Sequence, residues 1–125
     1  MKWHADEILS VVQNSDMQVF RILKKFRDER EPDGPEDITG WVIRFSAKRH
    51  VTDSDAGKLF DIAATIVDAP NGVYRLDLTP IQTHLIAGTY FGEIRWWTAA
   101  PAAGEPPADR RSVDYVIQAA IGAVA

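Results

Sequence analysis

The sequence predicts an all-β protein, an antiparallel sandwich of about seven short strands. Three observations lead there. The dominant apolar period is two rather than 3.6. The apolar runs are short and separated by proline, glycine and asparagine turn chemistry. No long amphipathic helical pattern and no internal repeat interrupts them. With 125 residues, the chain makes one domain over 1–125 and can bury one hydrophobic core.

The elements follow in order. "EILSVVQ" and "MQVFRILKKFR" read as the first two strands, with Asn14-Ser15-Asp16 as the turn between them and "EPDGP" after the second. Val19, Leu23 and Phe26 would also fit a helix, but the flanking turns favour a strand. "WVIRFSAK" places Trp41, Ile43, Phe45 and Ala47 on one face and Val42, Arg44, Ser46 and Lys48 on the other. "LFDIAATIV" reads as one strand carrying Phe60, Ile62, Ala64 and Ile66 inward. Asn71-Gly72 between two apolar runs is a hairpin signal. "GVYRLDLT" then puts Tyr74, Leu76 and Leu78 inward. "TPIQTHL" breaks the alternation and reads as a short helical turn crossing between sheets. "SVDYVIQA" supplies Val113, Tyr115 and Ile117 to the core. The stretch 99–111, "AAPAAGEPPADRR", reads as an extended hairpin loop too poor in large side chains to pack. Residues 1–7 form an N-terminal arm.

The most informative run is "HLIAGTYFGEIRWW", residues 84–97. Tyr90, Gly92, Ile94 and Trp96 share one face; Phe91, Glu93, Arg95 and Trp97 share the other. A tyrosine opening a strand, with a core position two residues on, is the pattern of strand F in an immunoglobulin sandwich. The predicted core of the domain is then Trp41, Tyr90, Gly92 and Ile94. Tyr90 sits as a tyrosine-corner residue, its hydroxyl bonded to backbone a few residues upstream. The glycine leaves space beside a bulky ring, and Trp41 is the expected occupant. Phe91 and Trp97 face outward. Either they form an exposed contact surface, or Trp97 lies under the 99–111 loop and Phe91 packs on a neighbour.

Together, "DITGWVIRFSAKR", "IVDAPNGVYRLDLTP" and "LIAGTYFGEIRWW" resemble the immunoglobulin-like N-terminal domain of phage baseplate upper proteins, found in phage and prophage tail proteins. The shared pattern is Asp37-Ile38-Thr39-Gly40, Asp68 with Gly72, Leu78-Thr79-Pro80, then Leu85, Gly88, Tyr90 and Glu93. It spans roughly residues 16–120. The resemblance implies a non-catalytic virion structural protein, a baseplate or tail-tip adaptor. It would be made in the host cytoplasm, hold other phage structural proteins, and act in several copies within a symmetric assembly. Family members often continue into a linker, helix or fibre segment, whereas this chain reads "AAIGAVA" after its last strand. Capsid decoration therefore stands as an alternative position in the particle.

Composition narrows the remaining classes. A formal net charge of −4 argues against a nucleic-acid partner. The absence of cysteine removes disulfides, thiol nucleophiles and cysteine metal sites, and suits a reducing cytoplasm. No run approaches a membrane span, and "MKWHADEILSVV" lacks the apolar stretch of a signal peptide. We read the chain as starting at Met1. His4, His50 and His84 fall in different segments without ligand spacing. "DSDAG" at 53–57 lacks the later positions of a calcium loop. The serines lack a nucleophile-elbow context, and no phosphate-binding glycine motif occurs. The mixed-sign run at 24–37 reads as a solvated hairpin. No catalytic residue, metal site or cofactor is expected.

The expected partner-binding residues are Trp3, Phe91 and Trp97. Trp3 lies on the arm, where it can reach a neighbouring subunit. On this reading, Trp3→Ala or Trp97→Ala spares the fold and weakens assembly. A second function is carbohydrate binding, with Phe91 and Trp97 stacking on pyranose faces. A host adhesin-type or chaperone-type domain is a third, disfavoured by the missing export signal.

Overall fold

The computed structural model describes residues 7–23, 35–50 and 57–119. These form eight strands, one α-helical turn and a short 3-10 turn at Ala69–Asn71. In order they are β1 (Glu7–Val12), β2 (Met17–Ile22), β3 (Val42–Lys48), β4 (Phe60–Ala63), β5 (Thr65–Asp68), β6 (Val73–Leu78), α1 (Pro80–Thr83), β7 (Gly88–Trp97) and β8 (Asp109–Gln118). They build two sheets. One runs β1-β8-β7-β3-β4 and the other β2-β6-β5. All pairings are antiparallel except β1 with β8, which is parallel. The architecture is an all-β sandwich. Among the described residues no helix is long and apolar enough to cross a membrane.

Period-two alternation builds the core as expected. Ile43, Phe45 and Ala47 from β3 meet Tyr74, Leu76 and Leu78 from β6 and Val113, Tyr115 and Ile117 from β8, all buried. Phe45, Phe60 and Tyr115 form a three-ring cluster with centroids 5.4–5.5 Å apart, a separation at which tilted rings attract. The Tyr115 hydroxyl donates to the Gln82 carbonyl at 2.8 Å, and its burial pushes the phenol pKa up. Gln82 is set in place by α1. The Thr79 hydroxyl accepts from the Ile81 N–H, and the Gln82 side chain accepts from the Thr79 N–H, which ties off the turn that crosses between sheets.

The run 59–67 is two strands rather than one, so the count is eight. The Ala64 N–H still donates to Ile43 on β3, whereas Thr65 pairs with Arg75 on β6. The chain changes sheets at that alanine. Phe60, Ile62 and Ile66 keep facing inward across the change, so their spacing carries no trace of it.

The space beside Gly92 belongs to Phe45, not Trp41. A Cβ at residue 92 would lie 3.0 Å from the Phe45 ring and 2.9 Å from the Val113 carbonyl oxygen. Register explains it. Val42 pairs with Trp97 and Ala47 with Gly92, so Trp41 lies about 20 Å along the strand from Gly92 at ~3.3 Å per residue. Trp41 is half-buried and stacks on Trp96 at 6.4 Å. Tyr90 and Ile94 are buried as expected. The Tyr90 hydroxyl donates 2.6 Å to the Ile86 carbonyl, four residues upstream.

Candidate functional site

Strand β7 carries the aromatic surface, and its outward face divides in two. Trp97 is only 7% exposed. Its Nε1–H donates to the Glu105 carbonyl at 2.9 Å, and the Arg95 guanidinium lies 5.6 Å from its ring centroid. Of the two readings open for Trp97, the exposed Phe91–Trp97 pair gives way to the covered one: Trp97 lies under the loop. That loop runs 98–108, because β8 already begins at Asp109. Its small residues fold back through a turn in which Glu105 N–H donates to Ala102 and Glu105 Oε1 accepts from Ala102 N–H. Alanine and proline contribute little bulk of their own, but they suffice to roof an indole. Phe91 is half-buried, opposite Lys48 on β3 and Asp114 on β8. Trp3 and His4 lie outside the described residues, as do residues 24–34 of the mixed-charge run and 53–56 of the "DSDAG" turn.

Beside Trp97 the outer face of the five-stranded sheet is an ion network that the sequence did not reveal. Register aligns Arg44 on β3, Arg95 on β7 and Arg110 on β8 in one row. Asp61 on β4 accepts from Arg44 Nε at 2.8 Å, Arg95 Nη2 at 2.7 Å and Lys58 Nζ at 3.2 Å. Glu93 lies 3.8 Å from Arg95 Nε and 3.5 Å from Arg110 Nη1. Burial alone would raise the Asp61 pKa. Hydrogen bonds from Arg44 and Arg95, the Arg95 charge and Lys58 outweigh it and hold the carboxyl below its ordinary value. A carboxylate so held stays ionised at neutral pH and serves as a structural anchor for three strands rather than as a proton shuttle.

A pH prediction follows. The folded pKa of Asp61 lies below its unfolded value, so its contribution is present above about pH 4 and fades as pH falls through the folded pKa. Asp61→Asn should cost about 1–2 kcal/mol at pH 7, a figure reduced because the pair is part-exposed. The gap between variant and parent should close in acid. Urea midpoints at pH 7 and pH 3 measure both.

The outer face of the three-stranded sheet carries exposed apolar side chains beside the Arg75–Asp77 ion pair. Phe20 and Ile22 on β2 and Val67 on β5 are each about half exposed. Phe20 pairs with Arg75, and Ile22 with Val73, which is itself half-buried. Val67 is the extra residue at a bulge in β5, across β6 from the other two. The signal is present in "MQVFRI", where Met17 and Val19 alternate with Phe20 and Ile22 so that both faces of the strand carry apolar residues. The solvent face of an antiparallel sheet is normally polar, and these three exposed apolar side chains depart from that pattern.

Among the described residues His50 and His84 stay apart. His50 is exposed at the end of β3, and the His84 ring contacts Asn14. Among the described residues no three of His, Asp and Glu stand together to hold a metal ion. Set beside known proteins, the chain matches no family model and no curated sequence.

Proposed function

We propose that this chain is a non-catalytic, immunoglobulin-like structural protein of a phage virion, a tail-tip adaptor that works by contact with other structural proteins. The observation that carries the contact role is the apolar strip Phe20, Ile22 and Val67 on an otherwise solvent-facing sheet. Support for the immunoglobulin-like frame comes from strand order. β2-β6-β5 corresponds to B-E-D, and β8-β7-β3-β4 to G-F-C with one added strand. β1 departs from the simplest arrangement, in which the first strand joins the B-E-D sheet. The tyrosine opening β7 and its return to Ile86 fit the strand-F corner. The virion assignment rests on the resemblance of the 37–40, 68–80 and 85–93 motifs. A sugar platform loses half its support with Trp97 roofed over.

Immunogold labelling of particles from a lysate of the source strain tests the assignment. Label at the tail tip is the expected result. Label over the head would make the protein a capsid decoration, and unlabelled particles would sink the virion reading.

A further inference from the structure

The four sheet edges of the sandwich are not alike. β4 and β5 are four residues each; β4 carries the Asp61 network and β5 a bulge. β2 places Arg21 on its inward face, opposite buried Tyr74. Short length, bulges and inward charges all blunt an edge against pairing. β1 has none of these between Ile8 and Val12. It runs six residues, its inward Leu9 and Val11 are buried, and its outward Ile8 and Val12 are 60% and 37% exposed. Among the described residues no strand pairs with its outer edge.

The direction of its backbone groups is also set. The Gln13 N–H donates to the Gln118 carbonyl on β8. By strand alternation the odd-numbered residues of β1 face β8, and Ile8, Ser10 and Val12 aim N–H and C=O away from it; of these the Val12 carbonyl accepts from the Ser15 hydroxyl.

We propose that a second copy of this chain adds to that edge, antiparallel to β1 about a two-fold axis at Ser10, joining two five-stranded sheets into one. What names the occupant is the strand's own symmetry. Reading "ILSVV" in both directions from Ser10 sets Ile8 against Val12 of the second copy, Leu9 against its Val11, and Ser10 against itself. Every apolar residue meets an apolar one, and the two exposed side chains cover each other. Ile8, Ser10 and Val12 each face a hydrogen-bonding position, about four bonds across the seam besides the two Val12 carbonyls, which already accept from the Ser15 hydroxyl. Such an interface is isologous and closes at two copies. The pairing needs only the β1 edge, so it stands or falls apart from the virion reading.

The test uses sedimentation of the full chain and two substitutions. Wild type should sediment as a dimer. Ser10→Pro removes only an edge-facing N–H, which an edge strand tolerates. It should weaken dimerisation about a hundredfold, with an unchanged melting temperature when both chains are diluted to monomer. The chain has no cysteine, so Ser10→Cys reports register cleanly. It should cross-link to its own copy on mild oxidation, because a hydrogen-bonded pair brings the Cα atoms within disulfide reach. Val12→Cys, offset from its own copy by four residues, should not. A monomeric wild type, a dimer indifferent to Ser10→Pro, or cross-linking through residue 12 but not 10 would each overturn the proposal.

Discussion

Trp97→Ala is expected to lower stability by about 3–4 kcal/mol, in the range for removing a buried aromatic ring. For a domain of this size that is a fall of about 10–20 °C in melting temperature. The indole is almost wholly covered, stacked under Arg95 and bonded to the loop carbonyl of Glu105. Truncation would empty the space beneath the 98–108 loop and leave Arg95 without its ring. A residue devoted to partner contact would behave otherwise, costing little stability and much assembly. Thermal unfolding of the variant, alone in solution, separates the two. A melting temperature within a few degrees of the parent would return Trp97 to the surface.

Gly72→Ala is expected to cost about as much, by a different mechanism. Gly72 has φ of +71° and is buried. A Cβ there would stand 2.7 Å from both the Leu23 and Glu36 carbonyl oxygens. Both belong to residues held by backbone bonds. Leu23 O accepts from the Glu36 N–H, and Gly72 O accepts from the Leu23 N–H, both at 2.8 Å. This clasp joins the end of β2, the segment before β3 and the β5–β6 hairpin. Left-handed strain alone costs about 1–2 kcal/mol; the clash with two fixed backbone oxygens should bring the loss to about 3–4 kcal/mol. Gly40 is the control, because it has φ of +78° with nothing within 4 Å of a Cβ. Gly40→Ala should show the strain without the clash. Equal denaturation midpoints for the two variants would refute the role given to the clasp.

How far the sequence carried depended on which forces are local. β3, β6 and β8 were legible because each is half-buried and writes its inward face into alternate residues. Tyr90 was legible for the same reason, with its hydroxyl reaching only to Ile86. What was hidden depends on register. Arg44, Asp61 and Arg95 meet because Arg44 stands opposite Arg95, and Ser46 opposite Asp61, and nothing in their spacing announces it. Gly92 signalled a close ring, but only the β3–β7 register selects Phe45 over Trp41. The sheet change at Ala64 is silent because both sheets bury the same face of the run. Trp97 stayed open between two readings because alternation says which side a residue leaves the sheet, not whether a loop returns to cover it.

The central claim, that the outer face of the three-stranded sheet is where this protein meets its neighbours, is tested most directly by competition. Phe20→Asp and wild-type chains, tagged differently and supplied together during particle assembly, are compared in purified particles. Phe20 projects outward from β2 and is 57% exposed, so the substitution should leave the melting temperature unchanged. Loss of an apolar anchor at a contact commonly costs 2 kcal/mol or more, so incorporation should fall at least about tenfold. Equal incorporation of the two chains would contradict the account.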